Sequence, residues 1–258
     1  MTNQAISSCV ELILASKHIV IFTGAGISTD SGIPDFRSPG SIWDRERPID
    51  YHEFIYSKAK RREAWRRKFS NKSLFEEAKP NAGHYAISEL IRDYGAKVVI
   101  TQNIDGLHQA AGTPDELVIE LHGNARYAKC LDCQKRFELD AIEADFRKTR
   151  EPPNCDECDG IVKTATISFG QNLPEAAFEA ANWQSLHCDL IIAMGSTLAV
   201  TPAASFPVQA KNNGSKLMII NREPTGLDEI ADLVIHEEIG PTLSECLALL
   251  RTTKKRSE

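Results

Sequence analysis

The stretch G-A-G-I-S-T-D-S-G-I-P-D-F-R-S, residues 24–38, decides how the rest of this chain is read. It directly follows His18-Ile19-Val20-Ile21-Phe22, a run with the β-branched content and length of a buried parallel strand. Gly24 and Gly26 permit a turn in which backbone approaches a phosphate with no Cβ in the way. Ser28 and Thr29 offer N-cap oxygens for a helix whose amino end favours an anion. The loop then runs on through Gly32, Pro34, Asp35, Phe36 and Arg37. Its acid, aromatic and base predict that it covers a ligand as well as holding phosphates, with Arg37 supplying a fork of donors. The plainer role for Phe36 is to anchor the loop in the core. Thr29 stands where a dinucleotide fingerprint has its third glycine, and no acid ends a second strand at the usual distance. Both facts argue against a conventional dehydrogenase.

Outward from that loop, apolar residues Ile6, Cys9, Val10, Ile13 and Leu14 have helical spacing, and a second helix is predicted from Pro80-Asn81 to Tyr94-Gly95. Further strands are predicted at 97–100, 118–121, 166–169, 190–194, 216–220 and 232–235. Strands alternating with helices predict an α/β fold, a mostly parallel sheet covered by helices on both faces. In such sheets ligands bind beyond the carboxyl ends of the strands. The residues that follow the strands are Gly24-Ala25-Gly26, Gln102-Asn103-Ile104-Asp105, His122-Gly123, Gly195-Ser196-Thr197 and Asn221-Arg222-Glu223. The chemistry-bearing side chains thus gather on one edge of the sheet.

Two segments break the alternation. Residues 41–79 read as a helical insertion, with Lys58, Lys60, Arg61, Arg62, Arg66, Arg67, Lys68 and Lys72 around Ala64, Trp65 and Phe69. This basic run is either a solvated face or a surface for an acidic partner. The polar segment between Cys130 and Cys158 is a second insertion, framed by Cys130-x-x-Cys133 and Cys155-x-x-Cys158. Two such pairs supply the four soft ligands of a closed, structural zinc site, with no position left for substrate. The other three of the seven cysteines, Cys9, Cys188 and Cys246, sit in apolar segments and are expected in the core.

His122 has a side chain suited to taking a proton near neutral pH. Asn103 and Asp105 share its edge, and their plainer role is to cap the helix that follows. His84, His108 and His187 are expected to be structural. The net charge of −6 argues against a general nucleic-acid binder. Glu11 interrupts the short amino-terminal apolar stretch, and no run approaches a membrane span, so a cytoplasmic setting with reduced thiols is expected. Residues 252–258 are expected to be disordered.

Taken together, G-A-G-I-S at 24–28, G-I-P-D-F-R-S at 32–38, T-Q-N-I-D at 101–105 and L-H-G at 121–123 resemble the sirtuin family of NAD-dependent protein deacylases. The four paired cysteines, Phe169-Gly170, Gly195-Ser196-Thr197 and Asn221-Arg222-Glu223 fall in the family's order, so the resemblance spans about residues 5–250. It implies a Rossmann-like domain over 1–43, 80–127 and 165–258. It also implies a small domain made of a helical module at 44–79 and a zinc-ribbon module at 128–164. NAD would be held by Gly24, Ala25, Gly26, Ser28, Asp35, Phe36, Arg37, Gln102, Asn103, Ile104, Asp105, Gly195, Ser196, Thr197, Asn221, Arg222, Glu223 and Ile239. Catalysis would fall to His122, as base towards a ribose hydroxyl, with Asn103 and Asp105 at the nicotinamide pocket. Phe36 would shield the reactive ribose. Acyl-lysine peptide would add as a strand along Ser168, Phe169 and Gly170.

The resemblance further implies that NAD is consumed and that one zinc ion, held by Cys130, Cys133, Cys155 and Cys158, is structural. No nucleic acid or membrane is expected as a partner. Ser196-Thr197 reverses a common order, and Gln171 replaces a common acid after Phe-Gly. The helical module lacks the tyrosine–arginine pair with which desuccinylating members hold an anionic acyl group. Short neutral acyl groups are therefore expected, since Lys68 or Arg66 would have to substitute for that pair. The alternatives are mono-ADP-ribosyl transfer, NAD hydrolysis, or a non-enzymatic NAD-sensing module.

Overall fold

The computed structural model describes residues 3–35 and 47–257. Phe36 and Arg37 lie outside the described residues. Helix α1 (Asn3–Ala15) buries Ile6, Cys9, Val10 and Ile13 along one stripe, as a 3.6-residue repeat requires. It leads into β1 (Ile19–Thr23), in which every residue is buried. Alternation sends Ile19 and Ile21 to one face and Val20 and Phe22 to the other. An apolar strand of that kind needs cover on both sides, and β1 lies at the centre of the sheet.

The sheet has six strands, all parallel: β1, β2 (Ala96–Thr101), β3 (Val118–Glu120), β7 (Leu190–Met194), β8 (Lys216–Ile220) and β9 (Leu233–Ile235). Their spatial order is β3-β2-β1-β7-β8-β9. The order reverses between β1 and β7, so the loops leaving those two strands diverge and open a crevice at the carboxyl edge, as in doubly wound sheets. One face is covered by α1, α5 (Ala82–Asp93) and α10 (Ile239–Ser257), and the other by α8 (Glu175–His187) and α9 (Ser205–Asn212). Cys9, Cys188 and Cys246 are buried. No helix among the described residues is long and apolar enough to cross a membrane.

Between β3 and α8 the chain builds a separate three-stranded antiparallel sheet, ordered β5-β4-β6, from β4 (Gly123–Cys130), β5 (Arg136–Glu138) and β6 (Val162–Thr166). Helix α7 (Leu139–Thr149) packs on it. The segment before α5 forms α2 (Tyr51–Tyr56), α3 (Lys58–Ser70) and α4 (Lys72–Glu76). Trp65 of α3 is 1 % exposed and shares a core with Ala128, Ile142, Phe146 and Val162. The two insertions therefore fold against each other. The basic run has a partner within the same chain: Lys58 and Arg62 pair with Glu151, and Lys72 pairs with Asp140 and Glu143. The acidic surface that faces this helix is the cysteine-bearing insertion itself.

Three expectations need correction. Residues 25–31 form a 3-10 helix with Gly24 as its N-cap and no side-chain cap bond. Ser28 and Thr29 lie inside it, so neither caps a helix. Thr29 Oγ1 donates to the Gly26 carbonyl, 3.0 Å, and Ser28 turns inward. The strand expected at 166–169 lies earlier, at Val162–Thr166, and belongs to the antiparallel sheet, because it pairs with β4 and not with the parallel strands. Residues 252–257 are helical, since α10 runs on to Ser257.

Candidate active site

The carboxyl edge of the sheet opens into a cleft of about 590 Å³ lined by the loops after β1, β2, β7 and β8, together with the segment after β6. Gly24, Ala25, Gly26, Asp35, Gln102, Asn103, Ile104, His122, Ser168, Phe169, Gly170, Gly195, Ser196, Thr197, Asn221, Arg222, Glu223 and Ile239 all line it. Ser28 and Asp105 do not. They sit beneath its floor at 1 % and 5 % exposure.

The glycines at the crevice are required first by each other. The Gly24 amide donates to the Met194 carbonyl, 3.0 Å, and the Gly26 amide donates to the Gly195 carbonyl, 2.8 Å. A Cβ on Gly24 would stand 2.7 Å from the Gly195 oxygen, and one on Gly195, at φ +61°, would stand 2.4 Å from the Ile27 nitrogen. Two loops leaving adjacent strands thus meet backbone to backbone. The loop is tied from the other side by Asn81, the N-cap of α5, whose Nδ2 donates to the Ile27 carbonyl, 2.7 Å.

Under this loop lies a polar network with few groups to spare. Ser28 Oγ donates to Asp105 Oδ2, 2.7 Å, and accepts from Asn103 Nδ2, 3.1 Å. Asn103 Nδ2 also donates to the Gly24 carbonyl, 3.0 Å. Asp105 Oδ1 accepts from the Leu107 amide, 2.9 Å, so Asp105 does serve the start of the short helix α6 (Leu107–Ala110). Asn103 does not cap it. Instead, its amide is held in place at the wall of the cleft. Arg126 Nε donates to the Asp105 carbonyl, 3.1 Å, from below. His84 and His108 adjoin the network with ring centroids 5.1 Å apart, and His108 Nε2 meets Thr23 Oγ1 at 2.9 Å. Burial pushes His84 down to about 4 and His108 to about 3, so both are neutral.

His122 closes the cleft on the side of the small module. Its Nδ1 lies 2.9 Å from the Gln102 carbonyl. A carbonyl only accepts, so Nδ1 carries the proton and Nε2 keeps its lone pair. Burial holds the imidazole below its ordinary value and outweighs the bond to Gln102, which raises it. The result is a neutral ring of fixed tautomer. Gln102 itself is anchored by its Nε2, which donates to Ser196 Oγ, 2.9 Å. At the far end, Asn221 Nδ2 donates to the Glu223 carbonyl, 2.7 Å, and Arg222 pairs with Glu238, 3.2 Å.

The four paired cysteines converge, with every sulfur within 4.8 Å of every other. Cys130 and Cys158 are 3.5 Å apart, and Cys133 and Cys155 are 3.6 Å apart. Sulfurs about 2.3 Å from a zinc ion in a tetrahedron stand about 3.8 Å from one another, so the cage fits that ion. Both turns repeat one geometry. The Cys130 amide donates to the Lys135 carbonyl and the Cys155 amide to the Gly160 carbonyl, while Gln134 and Asp159 both take positive φ.

Sequence reading missed the wall formed by Pro48, Ile49, Val200 and Pro202. These are ordinary loop residues with no chemical signature, and only the packing of the modules brings them to the cleft.

The Sir2 family model matches residues 24–202. This chain belongs to the Sir2 family. It is 52 % identical over 247 residues to an NAD-dependent protein deacetylase of Rhodopseudomonas palustris, covering 94 % of this chain and 98 % of that one. It is 41 % identical over 257 residues to NAD-dependent protein deacylase 2 of Archaeoglobus fulgidus, covering 98 % and 100 %. Among solved structures, a Sir2 complex with p53 peptide and NAD+ aligns with TM-score 0.84 at 34 % identity, covering 95 % of this chain and 98 % of the other. A Sir2 bound to acetylated peptide aligns with TM-score 0.85 at 32 % identity and the same coverage. The sirtuin resemblance read from the motifs therefore holds for the chain as a whole.

Proposed function

We propose that this Sir2 family chain is an NAD-dependent protein-lysine deacylase that releases nicotinamide, free lysine and an O-acylated ADP-ribose. The observation that carries the reading is the fixed tautomer of His122. A neutral imidazole whose Nδ1–H is committed to the Gln102 carbonyl leaves Nε2 as the proton acceptor at the cleft wall. NAD, once bound, would supply the electrophilic ribose carbon, at which the acyl-lysine oxygen displaces nicotinamide. His122 takes the proton of a neighbouring ribose hydroxyl, whose oxygen then attacks the acyl carbon, and water completes the release of free lysine and the O-acylated ADP-ribose. Asn103, held by Gly24 and Ser28, presents its amide at the nicotinamide end, and Asp105 acts through Ser28 as a positioning residue. The loops carrying Gly24–Gly26, Asp35, Gln102, Ser196–Thr197, Asn221 and Glu223 hold the dinucleotide. Peptide adds along Ser168–Gly170. The roles of Phe36 and Arg37, as shield and phosphate ligand, belong to this proposal through the family resemblance alone.

The donor set of Cys130, Cys133, Cys155 and Cys158 is that of a closed zinc site, and the ion's part is to hold the antiparallel sheet together. The proposal includes the domain division at 1–43, 80–127 and 165–258 against 44–79 and 128–164; its support is the separate core around Trp65. It also includes a cytoplasmic setting, supported by seven cysteines free of disulfides. The test is incubation with an acetyl-lysine peptide and NAD. Peptide-dependent nicotinamide release supports the reading. Release no greater than in a peptide-free control overturns it in favour of NAD hydrolysis or binding alone.

A further inference from the structure

Cys9 and Cys246 belong neither to the cleft nor to the cage of four sulfurs, yet they meet. Cys9 lies on α1 and Cys246 on α10, 237 positions apart in sequence, and Cys246 Sγ donates to Cys9 Sγ at 3.0 Å. That is nearer than the 3.5 and 3.6 Å contacts inside the cage. The two residues are 0 % and 1 % exposed. Helices α1 and α10 pack directly on each other, and Ile6, Val10, Ile13, Leu243, Leu247 and Leu250 share the apolar cluster that holds the pair. No further cysteine, histidine or carboxylate joins the two as a metal site among the described residues.

Their burial also decides which thiols can react with which. Cys188 belongs to the core on the opposite face of the sheet, where its sulfur lies 3.4 Å from Ser215 Oγ. Cys130, Cys133, Cys155 and Cys158 face one another in the small module. Cys9 and Cys246 are thus left to each other. Contact with Cys9 holds the Cys246 thiol below its ordinary value, whereas that contact and burial push Cys9 up. Sulfurs in a disulfide stand about 2.05 Å apart, so closing the gap takes about 1 Å of movement, which side-chain torsions supply. Linking the two also removes both S–H groups from an apolar core.

We propose that Cys9 and Cys246 form a disulfide when the protein meets a peroxide, and that this bond staples α1 to α10 and stabilises the folded chain. The Cys246 thiolate attacks one oxygen of hydrogen peroxide, releases hydroxide and becomes a sulfenic acid. The Cys9 sulfur then attacks that sulfur, and the sulfenic oxygen leaves as water with the Cys9 proton. The hydroxide takes up the proton that Cys246 had lost. The two sulfurs give up two electrons, and the peroxide is reduced to two waters. The oxidant is nearly as small as water, so it reaches the pair through a local opening of the α1–α10 contact. The link encloses most of the chain in one covalent loop, which restricts the unfolded chain far more than the fold. Cys246 lies about two helical turns beyond Ile239, where α10 touches the cleft, so the cleft keeps its shape. The inference is independent of the deacylase reading.

The experiment treats the zinc-loaded full chain with hydrogen peroxide, then alkylates it in denaturant and maps its peptides. The peptides carrying Cys9 and Cys246 should be found joined, lighter by two hydrogen atoms than their sum, and dithiothreitol should return both thiols. Tm should rise by about 5 °C or more over the reduced form, with affinity for NAD unchanged. Cys9→Ala and Cys246→Ala should each abolish both the joined peptide and the gain in Tm. The oxidised and reduced forms of the parent chain make the same comparison without any substitution. The inference is overturned if both thiols remain open to alkylation after peroxide, or if either is found as a sulfinic acid or joined to another cysteine. A joined pair with no gain in Tm, or with weakened NAD binding, overturns it as well.

Discussion

Replacing Ser28 by alanine probes the coupling between the glycine loop and the floor of the cleft. The hydroxyl makes one bond to a carboxylate and one from an amide, with His84 Nε2 at a longer 3.5 Å, and at 1 % exposure no solvent replaces it. A bond to a charged group contributes about 1.5–3 kcal/mol, and a neutral one about 1 kcal/mol. Asp105 keeps the Leu107 amide and Asn103 keeps the Gly24 carbonyl, which brings the expected loss to about 2–3 kcal/mol. In a chain of this size that lowers Tm by roughly 4–12 °C. If the same bonds hold the Asn103 amide for nicotinamide, kcat/KM for NAD falls by about 30- to 150-fold. Thermal unfolding and nicotinamide exchange measure the two effects separately, and a double-mutant cycle with Asp105→Asn isolates the pair. A Tm within about 1 °C of the parent together with unchanged kcat/KM would refute the network as described.

Four further outcomes are expected. The acid limb of kcat/KM should fall below the ordinary histidine value of 6.5, because burial lowers His122 and keeps the base neutral at lower pH; His122→Ala should remove that limb along with the activity. Stability should decline as pH drops from about 6.5 towards 4. His84 and His108 take up protons in the unfolded chain throughout that window but not in the fold. The loss is on the order of 2 kcal/mol per histidine at pH 5, and flat urea midpoints between pH 7 and 5 would contradict it. Zinc measured by atomic absorption should be about one per chain, and a strong chelator or Cys155→Ser should red-shift Trp65 emission as its shared core loosens; unchanged emission after metal removal would sink the structural role. Gly195→Ala should cost roughly 2–4 kcal/mol and weaken NAD binding. Its Cβ would meet backbone at 2.4 Å that has no room to yield, so parental stability would be a failure of that account.

Much of this molecule is decided by local sequence. Five-residue apolar runs such as Ile19–Thr23 and Leu190–Met194 are buried on both faces wherever they fall, so they specify parallel strands directly. Placing polar residues after each strand puts them on one edge by the topology of alternating strands and helices alone. The two Cys-x-x-Cys pairs announce a four-sulfur cage, and the four sulfurs do converge. Tertiary structure settled what no spacing encodes. Gly24 and Gly195 are required by each other across a contact between loops 171 residues apart in sequence, whatever ligand the loops also hold. Ser28 has the chemistry of a cap and is instead a buried link to Asp105, because the helix after β1 already starts at Ala25 and takes Ser28 into its interior. The basic face of α3 found its acids in the cysteine-bearing insertion, and Lys68 and Lys163 came together at one cavity. Periodicity reports which face of an element is apolar, whereas charge pairing and cavity lining depend on which elements meet, and that is a property of the packed chain.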